Sequence, residues 1–368
     1  MKKTLGTIVL TLLSTVFAMI LLEFSVRIII GEPQKEVLPV VRVKPDPDTG
    51  WVMLPLDEHY TYEKFVKLNS LGFRGPEVSS RDDNEYRILV IGDSHVYGQG
   101  VADDELMTTV LEKKLAQSRA SCSYTVINMG VRAYSTNNEL ALLKKTGLPL
   151  DPDHVIVFFF INDFDQVDIA SRYNNFAGFD WYAFDFSDKP TDRIIQRWKL
   201  LQLARSSAAL MWIYDIYKGW TSKDNNINRI LSGRKDDALQ GSFEVTSKLL
   251  EEFRSLSHSH GFRLTLAVIP VAAQINNEYQ NQLYQTALKN YADEVHMDYL
   301  DLLPAFRKYY ELNNHLPVIA FDGHYDADGH VVMADSVFKH LKETPENCKQ
   351  HQPLIEHASR SNSNIHQQ

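Results

Sequence analysis

The sequence predicts an α/β protein: a three-layer α/β/α sandwich with a mostly parallel sheet, preceded by an N-terminal transmembrane helix. From Tyr86 onward, short and almost continuously apolar runs alternate with longer amphipathic runs. Strands of the first kind are typical of a parallel sheet that is buried on both faces, and the amphipathic runs are typical of the helices that cover it. The chain has 368 residues and is 44% hydrophobic, which allows one large domain or two small ones.

Strand and helix boundaries follow from these two periodicities. Strands are expected at 86–91, 123–128, 154–160, 263–269 and 295–300. Helices are expected at 104–118, 137–146, 242–258, 278–293 and 329–342. The strand at 154–160 contains three consecutive phenylalanines, so we expect it to be central in the sheet.

The N-terminus carries the pattern of a membrane anchor. Lys2 and Lys3 precede 19 uncharged residues, Thr4 to Leu22, which is close to the length of about 20 that a helix needs to cross a bilayer. The lysines predict a cytoplasmic N-terminus and a body on the exported, periplasmic or extracellular, side. A cleaved signal peptide is the alternative. Residues 16–18 are a poor cleavage site, so we favour an uncleaved signal anchor over 1–30.

The rest of the chain divides by composition. Residues 31–66 are rich in proline and are expected to form a stiff linker. Residues 67–345 are expected to form the main globular domain, with an insertion at about 164–240 that covers the sheet edge either as a lid or as a structural excursion. The polar tail, 346–368, is expected to be disordered.

Charge and cysteine content exclude some classes of protein. The net charge is −9 and no long basic block is present, which argues against a nucleic-acid partner. The two cysteines, Cys122 and Cys348, are compatible with an oxidising compartment and could pair or both be inert. Their spacing does not suggest a metal site, and we expect neither a metal nor a cofactor.

A serine follows the first predicted strand directly. Residues 87–91 are followed by Gly92-Asp93-Ser94-His95 and then by a helical pattern. In open α/β sheets, ligands bind at the carboxyl edge of the strands, so this serine stands where a nucleophile would be exposed. The alternative is a serine that only caps a turn.

A nucleophilic serine requires a histidine base whose second ring nitrogen is held by an acid. His324 lies two residues after Asp322, in a loop that enters a predicted helix. His330 follows Asp328 with the same spacing and is a competitor at this point. The reaction also requires hydrogen-bond donors for the oxyanion.

Two residues at the ends of the next strands could supply these donors. Gly130 can present an unhindered backbone N–H, and Asn162 can present its side-chain amide. Parallel strands would bring both residues to the sheet edge of Ser94.

These residues resemble the sequence blocks of the SGNH hydrolases, also called GDSL esterases. Ser94, Gly130, Asn162 and His324 occur in the order and contexts of the four blocks, over about residues 67–345. The segment 69–75, followed by 91–94, is similar to bacterial membrane-anchored members.

The resemblance implies a flavodoxin-like fold and serine-dependent cleavage or transfer of acyl groups. It implies that Ser94 is the nucleophile, and that its own N–H, Gly130 and Asn162 form the oxyanion hole. It also favours His324 over His330 as the base, because His330 falls where the family's following helix begins.

The sequence departs from the family pattern at three places. His95 replaces a common leucine, Phe160 replaces a frequent glycine, and Phe321 stands where the orienting aspartate is usual. Asp322 is one residue closer to His324. This spacing resembles a branch that includes exported polysaccharide O-acetyltransferases.

We therefore expect an exported, membrane-anchored serine esterase or O-acetyltransferase, with an acylated small molecule or polysaccharide as substrate. A transferase would need a membrane partner that delivers the acyl donor. One alternative is a non-catalytic carbohydrate-binding or assembly protein on a hydrolase scaffold. Another is a metallophosphoesterase, which needs an Asn-His pair after a strand. Asn314-His315 is the only such pair, and no strand pattern precedes it.

Overall fold

Strands and helices alternate along the chain in the computed structural model, which describes residues 2–118, 123–170, 202–221, 226–233 and 237–343. The strands are β1 (Val43–Asp46), β2 (Gly50–Met53), β3 (Glu58–Thr61), β4 (Lys64–Lys67), β5 (Glu85–Gly92), β6 (Ser123–Gly130), β7 (His154–Phe159), β8 (Arg263–Val268) and β9 (Asp298–Asp301). The helices are α1 (Lys2–Ile29), α2 (Ser94–Tyr97), α3 (Met107–Ser118), α4 (Thr136–Leu142), α5 (Ala208–Thr221), α6 (Asn226–Leu231), α7 (Asp237–His260), α8 (Ala272–Ile275), α9 (Leu283–Glu294), α10 (Leu303–Asn313) and α11 (Ala327–Glu343).

Strands β5 to β9 form one parallel sheet in the order β6-β5-β7-β8-β9. The predicted parallel sheet is thus confirmed, and β7, the phenylalanine-rich strand, is central as predicted. Gly92 at the end of β5 is paired with Gly130 at the end of β6. This register brings the loops after the two strands to the same edge of the sheet.

Helices cover both faces of the sheet. Alternate residues of each strand belong to separate apolar clusters: Leu89 and Ile91 lie on one face, and Ile88 and Val90 on the other. Helices α4, α7 and α9 contribute to the first cluster, and α3, α10 and α11 to the second. The predicted three-layer α/β/α fold is confirmed.

The proline-rich segment is not a linker over its second half. Strands β1 and β2 form one antiparallel hairpin, and β3 and β4 form another. Trp51 and Val66 are fully buried in the core of the domain. Pro45 lies within β1, where a two-stranded hairpin leaves one backbone edge free of the ladder and so accepts a residue without an N–H. The linker prediction was wrong here because it relied on the number of prolines and overlooked the apolar residues between them, which are buried in the core.

Helix α10 was not predicted, and several predictions fall on residues outside the described part of the chain. These are the choice between a lid and a structural excursion for much of the insertion, whose residues 171–201 are not described, the tail at 346–368, and the pairing of Cys122 with Cys348. Within the described part of the insertion, the chain forms α5, α6 and the start of α7.

The N-terminal helix has the properties expected of a membrane span. Residues Thr4–Ile29 of α1 form a 26-residue apolar stretch, and its most apolar 18 residues are not buried against the rest of the protein. Its length and composition suit a membrane anchor and equally suit a signal sequence.

Candidate active site

Ser94 lies at the tight turn between β5 and α2. The Asp93 side chain caps the helix by accepting a hydrogen bond from the backbone N–H of His95 at 2.8 Å. A Cβ atom at Gly92 would lie 2.4 Å from Cγ2 of Val96, and one at Gly130 would lie 2.1 Å from the backbone nitrogen of Tyr97. Both positions therefore require glycine, which lets α2 approach the ends of the two strands.

Arg74 fixes the other end of α2. Its buried guanidinium donates to the carbonyl oxygens of Tyr97 at 3.1 Å, Gly98 at 2.6 Å and Val101 at 2.7 Å, and to Asp103 at 2.6 Å. The carbonyls at a helix end have no partners within the helix. Arg74 supplies these partners, which gives the segment 69–75 a physical role in holding α2, the helix that carries Ser94.

The structure brings Ser94, His324 and Asp322 into contact. The distance from His324 Nε2 to Ser94 Oγ is 2.7 Å, and His324 Nδ1 contacts Oδ1 of Asp322. The side chains of His324 and Asp322 are 20% and 18% exposed, so a substrate can reach them. Burial raises the pKa of Asp322, but the hydrogen bond and charge of His324 outweigh it and hold that pKa well below its usual range. Asp322 therefore stays ionised beside the histidine.

His330, the competitor, has a different environment. It is buried, and its Nδ1 accepts a hydrogen bond from the backbone N–H of Met107 at 3.1 Å. Burial and the nearby charge of Arg74 lower its pKa to about 3, so the ring is neutral. Asp328 accepts from Tyr309 at 2.6 Å. His330 thus caps α3, and the preference for His324 agrees with this geometry.

Two residues near Asp322 were missed by the sequence analysis. The Tyr62 hydroxyl donates to Asp322 Oδ2, and Gln99 Nε2 donates to the same oxygen at 3.3 Å and to the Tyr62 hydroxyl at 3.2 Å. Tyr62 stands at the tip of the β3–β4 hairpin, 260 residues before Asp322 in the chain. No local sequence signal connects the two, because the contact depends on how the hairpin docks.

Gly130 does not have the predicted role. Its backbone N–H donates to Asn128 Oδ1 at 2.9 Å and is not available to an oxyanion; the glycine serves close packing instead. Ala133, in the loop after β6, has a left-handed backbone with φ of 63°. It is exposed, and its N–H makes no hydrogen bond to any residue that the structure describes. Ala133 is therefore the better candidate donor from this loop.

The other two predicted donors keep free N–H groups. Asn162 Nδ2 donates one hydrogen to Asp93 Oδ2 at 2.9 Å, and an amide nitrogen carries a second hydrogen. The N–H of Ser94 is in the first turn of α2, where it has no intrahelical acceptor. Burial raises the pKa of Asp93, but the charge and hydrogen bonds of His95 lower it to about 2. An ionised Asp93 can therefore hold the Asn162 amide in place.

His95 and Phe160, two residues at which the sequence differs from the pattern that it resembles, pack against each other. The rings of His95 and Phe160 are 4.0 Å apart between centroids, and His95 lies 4.8 Å from the ring of His324. Nδ1 of His95 is 3.1 Å from Asp93 Oδ1. The two aromatic residues thus form one wall beside the candidate base.

Two carboxyl groups are buried behind the site. Glu139 and Asp163 are fully buried, and neither oxygen of Glu139 has a hydrogen-bond partner among the residues described. Burial raises the pKa of both well above the usual range, and the charge of Asp93 raises it further. Burial therefore favours the protonated form of both carboxyl groups.

No protein-family model matches the sequence, and no curated protein matches it. Several solved structures are similar to this chain. An α/β hydrolase from the metagenome of Lake Arreo in Spain has 14% identity and a TM-score of 0.43, over 70% of this chain and 95% of that one. The acetyl xylan esterase AlAXEase has 15% identity and a TM-score of 0.42, over 69% and 98%. A lipolytic protein of the G-D-S-L family from Desulfitobacterium hafniense has 12% identity and a TM-score of 0.38, over 69% and 98%.

Proposed function

We propose that this chain is a membrane-anchored serine esterase or acyltransferase of the SGNH type that acts on an esterified glycan. The observation that carries the proposal is the contact of Ser94 Oγ with His324 Nε2 at 2.7 Å, together with Asp322 on the second ring nitrogen. This is the arrangement that a serine needs to become a nucleophile.

The reaction has two steps. His324 takes the Ser94 proton as Oγ attacks the ester carbonyl, and Asp322 stabilises the imidazolium that forms. The N–H groups of Ser94 and Ala133 and the Asn162 amide stabilise the oxyanion. The tetrahedral intermediate collapses, the alcohol leaves with the proton from His324, and Ser94 holds the acyl group. In the second step, His324 takes a proton from water or from a sugar hydroxyl as its oxygen attacks the acyl carbonyl, and Ser94 leaves with that proton. Attack by water is hydrolysis, and attack by a sugar hydroxyl is acyl transfer.

The glycan substrate and the membrane anchor are supported by different observations. The Asp322-x-His324 spacing supports a glycan substrate through its resemblance to exported polysaccharide O-acetyltransferases. Lys2 and Lys3, followed by the apolar part of α1, support an anchor with the catalytic body on the exported side. A transferase would also require a membrane partner that supplies the acyl donor.

The test is turnover of p-nitrophenyl acetate by the full-length protein in detergent. We expect Ser94→Ala and His324→Ala to lower kcat by about a thousandfold or more. His315→Ala is the matched control, since His315 is exposed and lies outside the site, and should leave kcat unchanged. Turnover that survives loss of Ser94 would contradict the proposal.

A second measurement separates hydrolysis from transfer. Acetylated product in the presence of added oligosaccharides, detected by mass spectrometry, would identify a transferase. Glycan binding without turnover, unaffected by Ser94→Ala, would favour a binding protein on the same scaffold and reject both enzyme assignments.

A further inference from the structure

We propose that helix α5 lies in the lipid–water interface beside α1, so that the protein contacts the bilayer through two helices. Between Leu210 and Gly219, most side chains of α5 are apolar or aromatic and are exposed in the folded chain. They include Leu210, Trp212, Ile213, Tyr214, Ile216 and Tyr217. A contiguous exposed surface of this kind is unusual on a protein that water surrounds, and marks an interaction site.

Helix α5 is fixed to α1 at a defined position. Glu23 of α1 accepts hydrogen bonds from the backbone N–H groups of Ala208 at 2.9 Å and Ala209 at 3.0 Å, which are the first two residues of α5. A carboxylate is favourable at this end of a helix, where N–H groups lack intrahelical partners. Arg27 donates to the carbonyl oxygen of Ser206 at 2.7 Å. The start of α5 is therefore held at the level of Glu23.

The position of Glu23 along α1 determines how deep α5 lies in the bilayer. The uncharged run from Thr4 to Leu22 has 19 residues, which at 1.5 Å per residue is about 28 Å long. A bilayer's hydrocarbon core is about 30 Å thick. If this run crosses the core, Glu23 and the start of α5 lie at its boundary, among the lipid headgroups.

The composition of α5 fits that location. The helix has 14 residues and is too short to cross the core. Trp212, Tyr214 and Tyr217 are residue types enriched at membrane interfaces, and Asp215 and Lys218 supply charges that headgroups and water can solvate. Lipid is also the medium that surrounds the neighbouring span, so the same bilayer would cover both helices without a further partner.

One consequence rests on the proposed function. A Cβ atom at Gly31, just after α1, would lie 3.2 Å from Cβ of Ala320, which is two residues before Asp322. The loop that carries Asp322 and His324 is therefore next to the point where the chain leaves the membrane. An acyl donor presented at the bilayer surface would reach the site without crossing much water.

The experiment measures lipid contact directly in the full-length chain. Cys122 and Cys348 are replaced by serine, a single cysteine is introduced by Ile213→Cys, and a bimane label is attached. Ile213 is 50% exposed. Leu312→Cys on α10, at a position 74% exposed, is the matched control. Both proteins are reconstituted in phosphatidylcholine–phosphatidylglycerol vesicles with and without nitroxide-labelled lipid.

We expect nitroxide lipid to quench the label at position 213 at least about twofold more than the label at 312. Quenching at 213 by aqueous iodide alone would mean that α5 faces water, and protection from both quenchers would mean that a protein or a second copy covers it. Either result overturns the proposal. Tyr217→Cys provides a second position in case the first variant does not fold. Because the measurement needs no turnover, an inactive protein with a lipid-quenched label would reject the proposed function alone.

Discussion

Tyr62 donates a hydrogen bond to Asp322 from a backbone conformation that tyrosine rarely adopts. Its φ is 54°, in the left-handed region that favours glycine. Such strain persists where the surroundings fix the residue, and it is concentrated at functional sites. Here the ring lies so close to Gly100 that a Cβ atom there would be 2.9 Å from Tyr62 Cδ2. The hairpin tip is thereby locked against the loop that follows α2.

Replacing Tyr62 by phenylalanine should lower kcat without changing KM. A hydrogen bond to a charged group is worth about 1.5–3 kcal/mol, so loss of orientation at Asp322 should reduce kcat about tenfold or more. Tyr60→Phe, the same change at a neighbouring residue that packs on Phe65, is the control and should have no effect. Kinetics and the unfolding midpoint are measured together. A lowered midpoint with unchanged kcat would show that Tyr62 only supports the fold.

Glu139 should make the protein less stable as pH rises. Its pKa is raised in the folded state, whereas an unfolded glutamate titrates near 4.3. Above that pH the unfolded chain releases a proton that the folded protein keeps, so the free energy of unfolding falls as pH increases, until the folded pKa is reached. The slope is about 1.4 kcal/mol per pH unit for one proton.

We expect Glu139→Gln to flatten this dependence above pH 5, as measured by urea unfolding at several pH values. Glu278→Gln, at an exposed position, is the control and should keep the wild-type slope. An unchanged slope in Glu139→Gln would mean that the carboxyl is ionised in the folded protein.

The candidate catalytic residues were predictable from the sequence. The hydrogen-bond donors for the oxyanion and the residues that hold Asp322 in place were only partly predictable. Ser94 and His324 each follow a recognisable local pattern, and the loop before α11 places His324 against Ser94. Gly130 was assigned wrongly because the Asn128 side chain takes its N–H, a contact that strand periodicity does not reveal. Ala133 and Tyr62 depend on left-handed backbone conformations, which neither residue type suggests.

At the level of elements, Arg74 joins the N-terminal part of the domain to the nucleophile's helix. We expect Arg74→Met to reduce the free energy of unfolding by about 3–5 kcal/mol, because several buried carbonyl groups lose their only charged partner. Turnover should fall with it, since α2 carries Ser94. Arg254→Met, which removes a partly exposed pair with Glu251 one turn away on α7, is the control. A change no larger than that of the control, measured by chemical unfolding, would contradict the role assigned to Arg74.

Strands were predicted correctly where the sequence has a single clear pattern, a short and nearly continuous apolar run. Strands β5 to β8 are mostly apolar and buried, and each of the five strands of the sheet was predicted within a few residues of its observed bounds. The two hairpins were missed because their strands are four residues long and because Pro45 interrupts the first of them. Their stability comes from packing of residues such as Trp51 and Val66 on the main core, which is a tertiary effect.

At the level of the whole molecule, helix α1 and the domain that carries the candidate site are coupled structurally. Glu23 of α1 contacts the start of α5, and Arg27 contacts Ser206 just before it. The segment after α1 lies next to Ala320 in the loop that carries Asp322 and His324. Residue 37 is also joined to the hairpin tip, since its N–H donates to the carbonyl oxygen of Tyr62 at 3.3 Å. The orientation of α1 in a membrane would therefore fix the side on which the catalytic site acts.

The orientation can be measured with single cysteines in otherwise cysteine-free chains. Two lysines precede the span, and the positive-inside rule then predicts a cytoplasmic N-terminus. A cysteine from Leu312→Cys should react with a membrane-impermeant maleimide in intact spheroplasts, whereas one from Thr4→Cys should react only in inside-out vesicles. The mass of the purified chain reports in parallel whether residue 4 is retained. Labelling of position 312 only in inside-out vesicles would place the catalytic domain in the cytoplasm, and a mass lacking the first helix would replace the anchor with a cleaved signal peptide.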